Sequence, residues 1–334
     1  MKHITITDVA RRAKVSKTTV SHYLNERFTN MSSKTKARIS SAIDELNYSP
    51  NYVAKSLKNK KTMTIGIIVA NILHNFSTRI IRSIEDYANS RDYHVIVCNA
   101  DNDPLKEEDY ISMLLAKQVD GLIVIPTPGN NDEFKALADA GYPLVFVDRY
   151  IEGVCVPSFL LDNARTIQIA FDHLFKKGFK HIGYISQQVN DAVTRLERRD
   201  AYIEECLRHD VKALLIDGDL SSITEKIREH IKNDSMPEAL IVGNDLTLFE
   251  VLKAVKQYNI NIPEELSIIS VDNIEFTEFF NPSLTVIAQP AYDIGTAATK
   301  HLFDVLNGIN PKPQVHRFEP ELIERESVIN HEHK

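Results

Sequence analysis

Between residues 64 and 271 the chain repeats one pattern, a short continuous apolar run followed by a stretch with helical spacing. TIGIIVA (64–70), YHVIVCN (93–99), GLIVI (121–125) and PLVFVD (143–148) read as buried strands. Helical spacing separates them over 77–91, where Ile80, Ile81, Ile84 and Ala88 point inward, and near 105–118 and 131–140. The scheme restarts at residue 163 with a helix, then HIGYIS (181–186), a helix near 195–208, ALLID (213–217), a helix near 222–233, EALIV (238–242), a helix near 245–258 and LSIISV (266–271). Strands apolar on both faces need cover on both faces, which the crossover helices of a parallel sheet supply. Two such runs predict an α/β core of two doubly wound parallel-sheet lobes. Ligands of open α/β sheets sit off the carboxyl ends of strands, so the cleft between lobes is the expected small-molecule site.

Residues 7–25, TDVARRAKVSKTTVSHYLN, depart from this pattern and predict a small all-α headpiece. They read as two short helices hinged at Lys14-Val15-Ser16. Thr7 is the candidate cap of the first, with Val9 and Ala13 inward. In the second, Val20 and Leu24 with Tyr23 make a buried stripe. Thr18, Ser21, His22 and Asn25 fall on the opposite face, flanked by Lys17 and Thr19. That face carries no acid and offers short-reach donors, acceptors and methyl groups, the set that base edges in a major groove demand. Ser16 is a good N-cap, leaving backbone N–H groups where a phosphate could sit. A third helix, capped by Ser32 or Ser33, repeats Ile39, Ala42, Ile43 and Leu46 at helical spacing. Three small helices around one core is the helix-turn-helix plan.

Charge agrees. Residues 1–61 hold 13 Lys and Arg against 4 Asp and Glu, whereas residues 62–334 hold 26 against 42. One end is built to meet a polyanion and the rest is not. Between the two, 51–57 (NYVAKSL) has the length of about two helical turns, too short to be stable alone, and Lys58 to Thr62 is a polar linker.

The length of 334 residues allows two or three domains. No apolar run reaches the length of a membrane span, and the polar, charged start predicts no signal peptide. The three cysteines, Cys98, Cys155 and Cys206, are far apart, which argues against a disulfide framework or zinc site and fits a reduced cytoplasmic setting. Neither cofactor nor metal is expected. A sugar-processing enzyme is disfavoured because there is no Walker loop, strand-linked G-x-G-x-x-G, metal-spaced His cluster or G-x-S-x-G. A solute-binding protein of transport would need a signal peptide and would have no use for a basic headpiece.

The motifs ITITDVARRAKVSKTTVSHYLN, ELNYSPNYVAKSL, VDGLIVIP, LVFVDR, LLDNARTIQIAFDHL, KHIGYIS, VGNDL and LSIISVDNIEFTEFFNPSLTVIAQP together resemble the LacI/GalR family of bacterial transcription repressors, over about residues 4–328. The resemblance implies a ligand-responsive, sequence-specific DNA-binding regulator with a periplasmic-binding-protein-like core, acting on a palindromic operator as a homodimer. It implies a headpiece at 1–50, a hinge helix and linker at 51–61, a core at 62–328 and a tail at 329–334. The N-lobe would comprise about 62–160 plus 291–320, and the C-lobe about 161–290 plus 321–328. With no leucine heptad after Val328, a dimer rather than a tetramer is expected. The DNA-contacting set expected is Thr7, Ser16, Lys17, Thr18, Thr19, Ser21, His22 and Asn25, joined by Asn51, Lys55 and Leu57 of the hinge, where Leu57 resembles a leucine that wedges into a base step. The effector contacts implied are Asn75, Phe76, Asp148, Arg198, Asn244 and Asp272.

Departures from the family pattern narrow what carries over. His22 stands where Arg is usual, and Lys14 where Gly is usual. Ala201, Leu248, Glu250, Ser270-Val271 and Ser77 also differ. For the effector a neutral sugar ranks first, then a sugar acid or sugar phosphate, then a nucleobase, with the cleft arginine and His74 leaning toward an anion.

Overall fold

A computed structural model describes residues 4–29, 31–48, 61–189, 192–309 and 311–331. The chain forms two compact units that divide at residue 62.

The smaller unit holds α1 (Ile6–Ala13), α2 (Lys17–Leu24) and α3 (Ser33–Leu46). Val9, Ala10, Ala13, Val20, Ile39 and Ala42 form its buried centre, with Tyr23, Leu24, Ile43 and Leu46 packed around them. Local chemistry sets each boundary. Ser16 Oγ accepts the Thr19 N–H at 3.1 Å, and Ser32 Oγ accepts the Thr35 N–H at 3.2 Å. Each such cap contributes about 1 kcal/mol. The cap of α1 is Thr5, not Thr7. An aspartate three residues after the cap can reach back, and the Asp8 carboxylate accepts the Thr5 N–H at 2.9 Å and its hydroxyl at 2.7 Å. Thr7 lies in the first turn with its side chain exposed. Lys14 ends α1 in the left-handed region, φ 52° and ψ 49°, the conformation that makes glycine the usual choice there.

The larger unit contains two six-stranded sheets. The first is built from β1 (Thr64–Val69), β2 (His94–Asn99), β3 (Gly121–Val124), β4 (Leu144–Val147), β5 (Ser158–Leu161) and β11 (Val315–Phe318), in the order β11-β5-β4-β3-β1-β2, every pair parallel. One face is covered by α4 (Asn75–Asn89) and α12 (Ala291–Leu306), the other by α5 (Pro104–Ala116) and α6 (Asn131–Asp139). The second sheet is built from β6 (Ile182–Gln187), β7 (Leu214–Gly218), β8 (Ala239–Val242), β9 (Ser267–Val271), β10 (Thr285–Ala288) and β12 (Glu321–Ile323), in the order β12-β10-β9-β8-β6-β7. Only β12, at its edge, runs antiparallel. Helices α7 (Asn163–Lys176) and α8 (Val193–Arg208) cover one face, and α9 (Ile223–Lys232) and α10 (Asp245–Tyr258) the other, with the one-turn helix α11 (Phe276–Phe279) between β9 and β10.

The chain passes between the lobes three times, after β5, between β10 and α12, and between β11 and β12. Strands β1 to β4 and β6 to β9 lie where the apolar runs predict them, within about two residues at each end. Periodicity does not reveal β5, β10, β11 or β12, which are three or four residues long.

Candidate DNA-reading face and ligand cleft

On α2 the side chains of Lys17, Thr18 and His22 are exposed, and Ser21 is half-buried. Thr19 and Asn25 instead serve the helix ends. Thr19 Oγ1 lies 2.8 Å from Ser16 Oγ, and Asn25 Nδ2 donates to the Ser21 carbonyl at 2.7 Å. The expected reading set thus resolves into Lys17, Thr18, Ser21 and His22 on a surface and Ser16, Thr19 and Asn25 as its frame. Arg38 of α3, which sequence reasoning missed, donates to the carbonyls of Ala13 and Lys14 and holds the turn between α1 and α2 in place. Asn51, Lys55 and Leu57 lie outside the described residues.

In the larger unit a small cleft opens where strands of both lobes end. The first lobe lines it with Asn71, His74 and Phe76 after β1, Ile125 after β3, and Asp148 and Arg149 after β4. The second lobe supplies Thr194, Arg195 and Arg198 from α8, Asn244 after β8, Asp272 after β9 and Gln289 after β10. Of the six effector positions expected, Phe76, Asp148, Arg198, Asn244 and Asp272 meet here. Asn75 does not line the cleft. As the first residue of α4 it gives its backbone N–H to Asp245 at 2.7 Å.

Arg198 is buried and fixed, with Nε donating to Asn163 Oδ1 at 2.8 Å and a terminal nitrogen to the Gly243 carbonyl at 2.7 Å. Asn163 in turn donates to Glu197, which forms a two-point pair with Arg317 of β11, at 3.1 and 2.5 Å. The arginine that faces the cleft is therefore anchored through residues of both lobes. Asn244 caps α10, its Oδ1 accepting the Thr247 N–H at 2.9 Å.

Two acids stand at strand ends with left-handed backbone, Asp148 at φ 66° and Asp272 at φ 86°, a conformation aspartate tolerates better than most side chains. Burial, reinforced by the neighbouring Asp245 charge, pushes the Asp272 carboxyl up to about 6, although Arg198, His74 and Gln289 pull the other way. Gln289 Nε2 donates to Asp272 at 2.5 Å and the Asp245 N–H donates to it at 3.2 Å. Burial would also raise Asp245. The His74 hydrogen bond, the His74 charge and the N–H groups of Asn75 and Leu246 outweigh it and hold that carboxyl below the usual range.

Two further arginines join the site, and sequence reasoning did not single them out as contacts. Arg149 is buried, donates to the Pro126 carbonyl at 3.1 Å and stands 3.7 Å from Asp148. Arg195 donates to the Gln188 carbonyl at 2.8 Å and to Gln187 Oε1 at 2.7 Å. Burial and the facing Arg149 charge bring the Arg195 guanidinium down to about 10. Arg149 Nε and Gln289 Oε1 are buried with no hydrogen-bond partner among the described residues.

A three-helix headpiece followed by two parallel-sheet lobes around a polar cleft is the build of a ligand-responsive DNA-binding regulator. Residues 5–51 match the model of bacterial regulatory proteins of the lacI family, and residues 171–328 match a periplasmic binding protein-like domain. The chain is 38% identical over 332 residues to the probable HTH-type transcriptional regulator EndR of Paenibacillus polymyxa, covering 98% of this chain and 97% of that protein. Its fold superimposes on a lac repressor dimer bound to operator and the anti-inducer ONPF with a TM-score of 0.88, at 23% identity, over 98% of this chain and 100% of that one. A periplasmic binding protein/LacI transcriptional regulator from Alkaliphilus metalliredigens QYMF complexed with D-xylulofuranose matches 80% of this chain and 99% of its own, at 28% identity and a TM-score of 0.72. The chain belongs to the LacI family of bacterial regulatory proteins, and it is a transcriptional regulator, not an enzyme. Among the described residues no helix is long and apolar enough to cross a membrane.

Proposed function

We propose that the protein is a cytoplasmic repressor that reads a palindromic operator as a homodimer and is controlled by a polyhydroxylated anion, a sugar acid or sugar phosphate, bound in the cleft. The observation that carries the ligand class is the convergence of Arg149, Arg195 and Arg198 on a small cleft, with the acids Asp148 and Asp272 beside them. Guanidiniums whose charges repel one another in a buried setting gain most from an anion, which accepts forked hydrogen bonds. Asp148, Asp272 and Asn244 suit hydroxyl groups, and Phe76 offers an apolar ring face. This reverses the ranking drawn from sequence, where Arg198 was the one cleft arginine counted and a neutral sugar came first. The D-xylulofuranose bound by the Alkaliphilus metalliredigens relative supports a sugar skeleton.

On the DNA side, Lys17, Thr18, Ser21 and His22 are the proposed base readers. Pairing of two copies is supported by an apolar groove lined by Leu246, Phe249, Phe276 and Phe280, in which Phe249 and Phe276 are exposed. The similarity to a lac repressor dimer on operator supports the same arrangement.

The test is a thermal-shift and calorimetric comparison of hexuronic acids and sugar phosphates against the matching neutral sugars. A ligand at about 100 times its dissociation constant adds about 2.7 kcal/mol of stability. Anionic members should stabilise the protein, and Arg195→Gln should weaken their binding more than about tenfold. Equal binding of the neutral sugars, unaffected by Arg195→Gln, would overturn the anion assignment.

A further inference from the structure

We propose that Asp172, Glu205 and His209 form a site for a divalent metal ion of the zinc class on the outer side of the helix pair α7–α8. Glu205 and His209 are four residues apart on α8 and at its end, so their side chains share a face. Asp172 comes from the adjacent helix α7. One ligand atom from each residue lies within 4.8 Å of the others. His209 Nε2 stands 3.6 Å from Glu205 Oε2 and 3.7 Å from Asp172 Oδ1. Ligand atoms on a tetrahedral zinc, each about 2.0–2.2 Å from the ion, stand about 3.3–3.6 Å apart. Both His209 distances lie within a few tenths of an ångström of that spacing.

A second observation concerns the hydrogen bonding of these atoms. Glu205 is 3% exposed, and its Oε2 has no hydrogen-bond partner among the described residues; nor has the buried His209 Nε2. Both unsatisfied atoms belong to the shared cluster. A buried polar atom without a partner is costly, and a cation would satisfy both at once. The second Glu205 oxygen is occupied by Arg208 at 2.8 Å, which leaves Oε2 as the ligand. The His209 ring is held between Phe171 and Phe175, with centroids 5.3 and 4.3 Å away. Asp172 and His209 are about a third and a fifth exposed, so an ion has a path in and water completes its shell.

The sequence expectation of no metal rested on the lack of closely spaced histidines, and these ligands are 33 and 4 residues apart, on two helices. The position gives the ion a role. Helices α7 and α8 carry Asn163 and Arg198, the hydrogen-bonded pair at the cleft. Asp172 is nine residues beyond Asn163, about 14 Å along the helix. An ion here cross-links the two helices that place the cleft arginine.

The test uses tag-free, full-length protein stripped with a chelator and titrated with Zn²⁺ by calorimetry and with Co²⁺ by visible absorption. One ion per chain should bind. His209→Gln and Asp172→Asn should each weaken binding more than about tenfold, whereas His331→Gln should leave it unchanged. Hydrogen exchange in 163–176 and 193–208 should slow on Zn²⁺ addition. If His209→Gln does not fold, Asp172→Asn with the exchange measurement decides. No saturable binding, or affinity unchanged in Asp172→Asn, would show that the cluster is only a side-chain contact within the helix pair, and the proposal would fail.

Discussion

His74 and Asp245 join the two lobes across the cleft. His74 Nδ1 lies 2.6 Å from Asp245 Oδ1, and the other carboxylate oxygen accepts the N–H that begins α4. An acid at the start of one lobe's helix α10 thereby also stabilises the positive end of α4 in the other lobe. The contact is 17% exposed on the histidine side and 2% on the aspartate side, so little water weakens it. His74→Ala should lower the unfolding free energy by about 1–3 kcal/mol, since it leaves a buried carboxylate short of a partner. Small-angle scattering should show a larger radius of gyration for the variant. An unchanged radius would mean the contact does not hold the lobes together.

Asp272 gives a pH signature of defined sign. Its carboxyl titrates at about 6 in the folded protein and near 3.9 in an unfolded chain. The folded state therefore binds the extra proton between these values, and this group's contribution to stability rises as pH falls through 6 toward 4. Above pH 6 the buried charge opposes folding in full. Asp272→Asn removes that term, so the melting-temperature difference, variant minus wild type, should shrink between pH 7.5 and 4.5. A difference constant over that range would contradict a raised carboxyl.

Lys14 holds a left-handed backbone without being glycine. Lys14→Gly should stabilise the headpiece by about 0.5–1 kcal/mol, because the steric cost of a Cβ there disappears. The Arg38 hydrogen bond to this residue uses the backbone carbonyl and survives the change. Denaturant melts of the isolated headpiece and of the full chain give the number. A loss of stability would mean the Lys14 side chain contributes more than its backbone costs.

The exposed face of α2 makes two separable predictions. His22→Arg should change the preferred base at one symmetric position of each half-site, read from selection on randomised operators. Lys17→Ala should lower affinity, and if its partner is a phosphate the salt slope should fall by about one. The same base preference before and after His22→Arg would remove that residue from the reading set.

Much of this was legible in the sequence where the cause is local. Ser16 and Ser32 are caps because a hydroxyl reaches an N–H three residues on. Strands β1 to β4 and β6 to β9 stand out because burial on both faces demands unbroken apolar runs. Asp148, Asn244 and Asp272 follow such runs, and it is the family resemblance that names them as cleft residues. Thr5 took the cap from Thr7 because Asp8 can answer only the residue three before it. Strand β11 hides because its sequence, VHRF, is half-exposed at an edge and pairs with β5, more than 150 residues earlier. Arg195 reads as one charge among several on a solvated helix, and only tertiary packing sets it against Arg149. Asp245 reads as an ordinary first-turn acid, and its bond to the opposite lobe has no local signal.

The three passages of the chain between the lobes set a timetable for synthesis. The apolar face of the first sheet is closed by α12, with Ala291, Ile294, Ala298, Leu302 and Phe303 in its core. Its strand β5 waits for β11 at residues 315–318. A ribosome adding about 5–20 residues per second needs about 8–30 s to travel from β5 to β11. Until α12 is made the first lobe has an open apolar face while the second is being synthesised. The regulator therefore cannot mature lobe by lobe, and a nascent chain stalled before residue 291 should be a client for chaperones even though most of the first sheet has already been synthesised.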